Sequence, residues 1–207
     1  MLTLWGRTNS SNVMKVLWLL EELGLPYERI DAGLSFGRND TPEYRAMNPL
    51  GLVPTLQDGD YSLFESNAIL RYLCQVHAAG APFHPADAQG RGTMEAWTDF
   101  QQTALTPVQS PLFQAVVRTP PERRDAGKIS EAVAAASRIW AILDAALGRR
   151  SWIAGDSLTI ADMAIGPHVH RWFAMPIERP AFSHLRVYYE RLLARPAYAR
   201  TCAVPPI

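Results

Sequence analysis

The stretch at residues 48–70, N-P-L-G-L-V-P-T-L-Q-D-G-D-Y-S-L-F-E-S-N-A-I-L, constrains the fold of this chain more than any other feature. Turn residues, β-branched residues and an Asp-Gly pair follow one another closely, so strands joined by tight turns are expected. An apolar helical stripe comes next. In order, the stretch predicts a turn at 48–51, a strand at 52–56, a hairpin turn at 58–60, a second strand at 61–64 and a helix that begins at Glu65 and Ser66.

Two features of this stretch are unusual for a purely structural segment. Pro54 falls inside the first predicted strand, where a residue without an N–H cannot donate to the ladder. Ser66 places a hydroxyl group beside the free backbone N–H groups of a helix N-terminus, and together these groups favour an anion. A cis Val53–Pro54 bond would turn the Val53 backbone toward the same place, so we predict a cis bond and a ligand-binding edge here.

This combination resembles the glutathione-binding half of the soluble glutathione transferases, in which a V-P turn precedes a strand, a hairpin and an E-S pair. In that family the V-P bond is cis, and the residue before the proline pairs by its backbone with the cysteinyl part of glutathione. The E-S pair holds the γ-glutamyl end. The resemblance therefore implies that Val53, Pro54, Glu65 and Ser66 bind glutathione as a co-substrate, and that the protein is a homodimer.

Composition argues against several other classes of protein. Lys+Arg and Asp+Glu number 20 each among 207 residues, so no basic field is available for nucleic acid. No apolar run approaches the roughly 18 residues of a membrane span, and no signal segment follows Met1. The two cysteines form neither a disulfide framework nor a metal site, so we expect a cytoplasmic protein without a metal.

The first part of the chain alternates between strand and helix patterns. A strand at 2–6, a helix at 13–23 and a strand at 27–30 form a βαβ unit, which predicts a parallel pair. A short helix at 42–47 and the hairpin stretch complete the order βαβαββα, which matches a thioredoxin-like fold, as the resemblance also implies. We expect an α/β thioredoxin-like domain at 1–79, a turn-rich linker at 80–87 and an all-α helical domain at 88–207.

In the second part, the hydrophobic pattern is helical only. The pattern at 88–105 predicts a helix, which Pro107 and Pro111 are expected to kink or break. Beyond them, the sequence predicts a helix start at 119–122, a helical stripe that ends at Gly148, a capping box at Thr159 and Asp162, and a last helix at 181–194.

The loop after the first strand, R-T-N-S-S-N, is where the chemistry is expected. A hydroxyl donor beside the glutathione sulfur favours the reactive thiolate. The run S-S-N-V-M-K is similar to the S-x-N-V-x-R pattern of plant phi-type and related bacterial members of the family, which implies that Ser10 supplies the hydroxyl and Asn12 assists. Ser11 is the alternative donor and is expected mainly to cap the helix, although Ser10 could also be only a cap. Thr8 stays open as a further donor.

The resemblance also points to residues that meet the rest of the two substrates. Basic or amide residues in the loop after the second strand meet the glycyl carboxylate of glutathione in this family, and Arg38 and Asn39 are the candidates here. An apolar second-substrate pocket is expected at the domain junction. The candidates for its lining are Phe100, Thr103, Phe113 and Trp172.

Three other reactive side chains are interpreted as structural. Cys74 lies near an apolar helix stripe and is expected to be inert core. His168 and His170 are two residues apart, hence on different helix faces, and make a poor metal pair.

The sequence therefore predicts a glutathione transferase that conjugates the glutathione thiolate to an electrophilic, largely apolar small molecule, a detoxification reaction. One alternative is glutathione-dependent reduction of disulfides or peroxides, which related bacterial proteins perform. A second alternative is a non-catalytic interaction module of the same fold. The presence of Ser10, Val53-Pro54 and Glu65-Ser66 counts against this module.

Overall fold

The computed structural model describes residues 1–77 and 83–205, so the predicted domain boundary at 79 and the first part of the predicted linker lie outside the described residues. The strands are β1 (Leu2–Trp5), β2 (Tyr27–Ile30), β3 (Thr55–Asp58) and β4 (Tyr61–Phe64). The helices are α1 (Ser11–Leu23), α2 (Pro42–Met47), α3 (Ser66–His77), α4 (Ala88–Phe100), α5 (Thr106–Phe113), α6 (Ala126–Leu147), α7 (Ile160–Ala174), α8 (Ser183–Leu193) and α9 (Pro196–Thr201).

The strands form one four-stranded sheet in the order β2-β1-β3-β4. β1 pairs parallel with β2 and antiparallel with β3, and β4 pairs antiparallel with β3. Leu2, Leu4 and Leu56 are buried, so the central strands contribute to the core. The predicted βαβαββα order, the parallel pair and the all-α second half are confirmed.

Strand β3 begins three residues later than the sequence predicts. The carbonyl oxygen of Leu52 accepts from the Tyr44 hydroxyl at 2.6 Å and from the Asn48 amide at 2.8 Å, so this part of the backbone does not join the ladder. Pro54 therefore precedes the strand instead of interrupting it. The predicted cis Val53–Pro54 bond is confirmed.

Helix α1 is the element on which both halves of the molecule pack. Residues 13–20 are all buried, including the large side chain of Trp18 and the charged side chain of Lys15. α1 contacts α3 of the first half and α7 and α9 of the second half. One hydrophobic core therefore spans the two halves, and both of them fix the position of the α1 N-terminus.

Of the kink or break expected at the two prolines, the break does not occur, because the helical path continues through them. A π-helical turn at Gln101–Leu105 joins α4 to α5, and a second at Gln114–Arg118 follows α5. The Thr106 hydroxyl donates to the Gln101 carbonyl at 2.9 Å inside the first π turn. Wider turns of this kind absorb a residue whose ordinary helical hydrogen bond is missing.

Two boundaries in the second half differ from prediction. Within the helix start predicted at 119–122, only a short 3₁₀ helix forms, at Pro121–Arg123. The long helix α6 begins after Asp125, which caps it by accepting from the Lys128 N–H at 3.1 Å. Gly148 ends α6 as predicted. Helix α9 was not predicted, since six residues are too short to show a helical period. None of the described helices combines the length and apolar character needed to cross a membrane.

The capping box at the start of α7 is confirmed and forms a buried hydrogen-bond hub. The Asp162 carboxylate accepts from the backbone N–H groups of Thr159 and Ile153 and from the Tyr188 hydroxyl, each at 2.8 Å. Burial raises the pKa of Asp162, and these hydrogen bonds act in the opposite direction. The hub ties α7 to α8 and to the segment before α7.

We predict that Asp162→Ala lowers the free energy of unfolding by about 3 kcal/mol or more, because three buried donors lose their acceptor at once. Urea unfolding followed by circular dichroism measures the loss. Asp156→Ala is the matched control, because this exposed aspartate should change stability by no more than about 0.5 kcal/mol. Equal losses in the two variants would contradict the hub.

Candidate active site

Ser10 is the N-cap residue of α1, and its hydroxyl makes no capping hydrogen bond. The side chain is nevertheless buried, with 7% of its surface exposed. Ser11 is the first helical residue, so the expectation that Ser11 caps the helix is wrong. A hydroxyl at an N-cap normally satisfies a helix N–H. The Ser10 hydroxyl instead remains available beside the free N–H groups of the helix start.

A cavity of about 460 Å³ contains this helix start and lies where the two halves of the molecule meet. The structure brings all three predicted residues of the loop, Ser10, Ser11 and Asn12, to its wall. Thr8 is exposed and does not line it. The other lining residues are Arg7, Leu34, Ser110, Phe113, Gln114, Arg118 and Arg171.

The backbone of Val53 offers one donor and one acceptor next to this loop. Its N–H and C=O make no hydrogen bond within the described residues. The side chain packs against two glycines, since a Cβ atom added at Gly6 or Gly33 would lie 3.4 Å from Val53. The glycines thus let three backbone segments approach one another. An extended peptide could pair with Val53 in the manner of a β-strand.

Glu65 and Ser66 form the start of α3. Glu65 has a φ of 68°, in the left-handed region that non-glycine residues rarely occupy. Such backbone strain costs on the order of 1–3 kcal/mol and is found mainly at functional sites. The Glu65 carbonyl accepts from the Ile69 N–H at 2.9 Å, so Glu65 is the cap of this helix. Its side chain is exposed, while Ser66 is buried.

Lys15 is a site residue that sequence reasoning missed. Its ammonium group is completely buried and donates to the Ser66 hydroxyl at 3.3 Å, to Asn67 Oδ1 at 3.2 Å and to Gln101 Oε1 at 2.8 Å. Burial lowers its pKa to about 7, and Glu65 acts weakly in the opposite direction. A lysine at an inward position of an apolar helix was the available signal.

This lysine also links the two halves of the molecule. Gln101 belongs to the π turn after α4, and its Nε2 lies 3.1 Å from His168 Nε2 on α7. The Asn67 amide donates to Gln101 Oε1 at 3.1 Å. Because Lys15 donates to the Ser66 oxygen, the hydroxyl hydrogen of Ser66 is free to point toward an anion.

Two residues predicted for the glycyl carboxylate lie apart from the Ser10 cavity. The Asn39 amide donates to the Gly51 carbonyl at 2.6 Å and so holds the loop that leads to Val53. Arg38 is exposed and lines a different cavity, beside Trp5. A glycyl carboxylate contact for Arg38 or Asn39 stays a prediction.

Among the residues predicted for the second-substrate pocket, only Phe113 lines the Ser10 cavity. Trp172 is fully buried and packs against Trp140 with ring centroids 5.7 Å apart, so it is core. Phe100 packs edge-to-face on Trp97, and the exposed Thr103 donates to the carbonyl of the preceding helical turn. None of these three side chains lines the Ser10 cavity, and their place in a second-substrate pocket stays a prediction.

The side chains interpreted as structural are structural. Cys74 and Cys202 are buried, and burial raises the pKa of each thiol to about 12. His168 is buried against Gln101, and burial holds its pKa well below its usual value. His170 is packed between Tyr189 and the Val204 carbonyl. Within residues 1–77 and 83–205, no three His, Cys, Asp or Glu side chains are grouped to hold a metal ion.

A larger cavity, of about 800 Å³, lies in the helical half between Phe173 and Arg186. It contains none of the predicted site residues and no element of the first half. The smaller cavity combines a hydroxyl group without a capping hydrogen bond, a helix N-terminus and both halves of the molecule, so it is the candidate active site.

Comparison with known proteins identifies the family of this chain. A family model described as "Glutathione S-transferase, N-terminal domain" matches residues 1–75, and one described as "Glutathione S-transferase, C-terminal domain" matches residues 121–191. The chain is 40% identical over 207 residues to glutathione S-transferase GstB of Escherichia coli strain K12, with 99% of each chain covered. It is 34% identical over 221 residues to glutathione S-transferase 3 of Zea mays, covering 100% of this chain and 95% of the relative.

Solved structures give the same result. The crystal structure of the theta class glutathione S-transferase from the citrus canker pathogen Xanthomonas axonopodis pv. citri, with glutathione bound, superposes with a TM-score of 0.95. It is 43% identical in sequence, and the match covers 100% of this chain and 99% of that one. With two family models matched in order and full-length relatives in two kingdoms, the chain belongs to the glutathione S-transferase family.

Proposed function

We propose that this protein is a glutathione transferase in which the glutathione thiolate attacks an electrophilic carbon of a second substrate. The observation that carries the proposal is that the Ser10 hydroxyl makes no capping hydrogen bond and lines a cavity shared by both halves of the molecule. In the reaction, sulfur forms a bond to carbon, the leaving group departs with its electron pair, and the thiol proton goes to solvent.

Ser10 and the start of α1 can stabilise the thiolate. A free thiol has a pKa of about 8.5 and is mostly protonated at neutral pH. A hydroxyl donor and a helix N-terminus both favour the anion. Each unit by which the pKa falls corresponds to about 1.4 kcal/mol of preference for the thiolate. The serine-type assignment, with Asn12 as the assisting donor, is part of this proposal.

The remaining groups can hold the peptide part of glutathione. The Val53 N–H and C=O are free to pair with the cysteinyl backbone. Ser66, oriented by Lys15, can donate to the γ-glutamyl carboxylate, and the exposed Glu65 can accept from the γ-glutamyl amine. Arg38 and Asn39 stay candidates for the glycyl end.

The structure offers less support for the two alternative functions. Glutathione-dependent reduction of disulfides or peroxides through a cysteine of this chain would need an accessible thiolate, and both cysteines are buried with a raised pKa. Reduction by the glutathione thiolate alone stays an alternative. A non-catalytic module would have no need for an N-cap serine that makes no capping hydrogen bond, or for a strained backbone at Glu65. Product analysis with a disulfide and a halo-aromatic substrate separates reduction from conjugation.

A homodimer in the cytoplasm is the assembly and location that we propose with this function. Leu50 and Leu52 flank the turn before Val53, and more than half of each side chain is exposed. Apolar side chains on an ordered loop beside the active site are suited to contact a second copy.

We predict that Ser10→Ala lowers kcat by about 10- to 1,000-fold, the range expected when an anion loses one donor. The KM for glutathione should change far less, because Val53, Glu65 and Ser66 still hold the peptide. Steady-state kinetics with a halo-aromatic electrophile measure both constants.

Ser11→Ala is the control for this substitution. Because Ser11 is not the helix cap, its removal should leave both kcat and stability close to those of the wild type. A large loss of kcat in Ser11→Ala, with little change in Ser10→Ala, would show that the alignment of the loop is off by one residue.

We predict that glutathione binding weakens as the pH rises above about 7, because Lys15 has a pKa of about 7 in the free protein. A carboxylate bound at Ser66 favours the protonated ammonium, so binding takes up a proton and affinity is full only below this pKa. The loss can reach at most about 10-fold per pH unit. Calorimetry with S-methylglutathione measures it without interference from a thiol.

Lys15→Met should bind S-methylglutathione more weakly below pH 7 and should lack this pH dependence. Lys128→Met is the matched control, because Lys128 is exposed on α6, far from Ser66 in the chain. Lys128→Met should retain the wild-type affinity for S-methylglutathione and the wild-type change of affinity with pH. If the affinity of Lys15→Met changed with pH as it does in the wild type, Lys15 would be ruled out as the titrating group.

We predict that sedimentation at micromolar concentration gives twice the chain mass of 23.0 kDa. Leu52→Glu should shift the equilibrium toward the monomer, because a charge cannot be buried at an apolar contact without a partner. A wild-type protein that sediments at the monomer mass would contradict the proposed dimer.

A further inference from the structure

The Ser10 cavity has a cationic wall that its proposed function does not yet explain. Arg7 comes from the same loop as Ser10, Arg118 from the π turn after α5, and Arg171 from α7. No aspartate or glutamate is among the described residues that line this cavity. Three guanidinium groups from three separate segments therefore face one space of about 460 Å³.

For two of these arginines, Arg7 and Arg171, the contacts within the described residues leave the charge largely uncompensated. The Arg171 Nη2 donates to the Asn9 carbonyl at 2.8 Å, which is a neutral partner. Neither Arg7 nor Arg171 forms an ion pair with a carboxylate in the described part of the chain. Burial, together with charge repulsion from Arg118 and Arg7, lowers the pKa of Arg171 to about 10. Guanidinium groups in proteins carry a positive charge at neutral pH.

The same arginines also cover the aromatic side chain of the cavity. The Arg171 guanidinium lies 4.1 Å from the centre of the Phe113 ring, and that of Arg118 lies 5.8 Å from it. Phe113 itself is only 3% exposed. An apolar substrate would need to contact the face of the Phe113 ring, but guanidinium groups occupy that place in the cavity. Stacking on Phe113 holds two of the charges in place.

We propose that the second substrate of this enzyme is an anionic electrophile, which carries a carboxylate or a similar group beside its reactive carbon skeleton. This inference rests on the proposed transferase function. Closely spaced like charges in a half-buried cavity repel one another, and an anion between them relieves that repulsion and forms charge-assisted hydrogen bonds. Ser10, at the start of α1, lines the same cavity as the arginines. The glutathione sulfur beside Ser10 and the anionic group of the second substrate would therefore lie in one space.

The reaction itself is unchanged by the anionic group. In an aryl chloride, the thiolate forms the C–S bond and chloride leaves with the bonding electrons, while the carboxylate stays on the ring. The arginines would bind and orient this carboxylate and thus decide which electrophiles are used. They are specificity-determining residues and take no part in the bond changes.

Binding tests the inference without catalysis. The probes are 3-nitrobenzoate and its neutral counterpart 3-nitrobenzamide, neither of which has a leaving group, titrated by calorimetry in the presence of glutathione. We expect the benzoate to bind about 10- to 100-fold more tightly, as for hydrogen bonds to a charged group. Equal affinities, or tighter binding of the amide, would overturn the inference.

Single substitutions identify the cationic groups. Arg7→Gln and Arg118→Gln should each reduce the preference for the benzoate by about 10-fold or more, and Arg171 is left intact because it also binds the Asn9 carbonyl. Arg123→Gln is the matched control. It removes the same charge from an exposed arginine that does not line the cavity. An equal loss in Arg123→Gln would mean that surface charge alone produces the preference, and would also overturn the inference.

Turnover separates this inference from the proposed function. The substrates are 4-chloro-3-nitrobenzoate and 4-chloro-3-nitrobenzamide, and each rate is divided by the rate of the uncatalysed reaction with glutathione. Preference for the benzoate in both binding and turnover supports both proposals. Benzoate binding without turnover of either compound contradicts the transferase function alone. Turnover without preference for the benzoate contradicts the anionic substrate alone. Arginine variants that weaken glutathione binding instead of benzoate binding would overturn the inference as well.

Discussion

The rest of the structure depends on the burial of helix α1 between α3 and the helical half. The helix buries an unbroken run of residues from 13 to 20, so its axis cannot shift without opening the common core. Its N-terminus is consequently held by both halves, although its residues belong to the first. Ser10 thus occupies a fixed position on a rigid element, which is what a catalytic donor requires. Arg195 and Glu22 reinforce the arrangement with a half-buried ion pair at 2.7 Å.

Charge burial is the second constraint on the site. Lys15 is desolvated beneath Ser66, and burial lowers its pKa to about 7 although the Glu65 charge acts in the opposite direction. Its hydrogen-bond partners, Ser66, Asn67 and Gln101, are neutral. Arg7 and Arg171 face the neighbouring cavity without a carboxylate partner among the described residues. Such groups lower the stability of the ligand-free protein. Anionic ligands would offset that cost on binding, which links the stability of the fold to occupation of the site.

Features encoded by short stretches of sequence could be predicted. Three features depend only on residues that are close together in the sequence: the cis bond after Val53, the hairpin that joins β3 to β4, and the capping box of Asp162. Their local chemistry admits few conformations, so pattern and structure agree. The boundary of β3 is different, because it depends on the Tyr44 hydroxyl reaching across to the Leu52 carbonyl.

Features that depend on packing between distant segments could not be predicted. Lys15 meets Gln101 across 86 residues of chain, and Arg171 donates to a carbonyl 162 residues away. Nothing in the local sequence separates the aromatic ring of Phe113, which reaches the cavity, from that of Trp172, which does not. Both lie at helical spacing on apolar faces. The tertiary packing of α5 against α7 decides between them.

In the proposed function, Ser10 and the N-terminus of α1 stabilise the thiolate of bound glutathione. The most direct measurement is the pKa of that thiol, followed by ultraviolet absorbance of the thiolate as the pH of the complex is raised. We expect the pKa in the wild-type complex to lie below the value of about 8.5 for a free thiol, and to move back toward that value in Ser10→Ala. A wild-type complex whose thiol titrates like free glutathione would contradict this expectation.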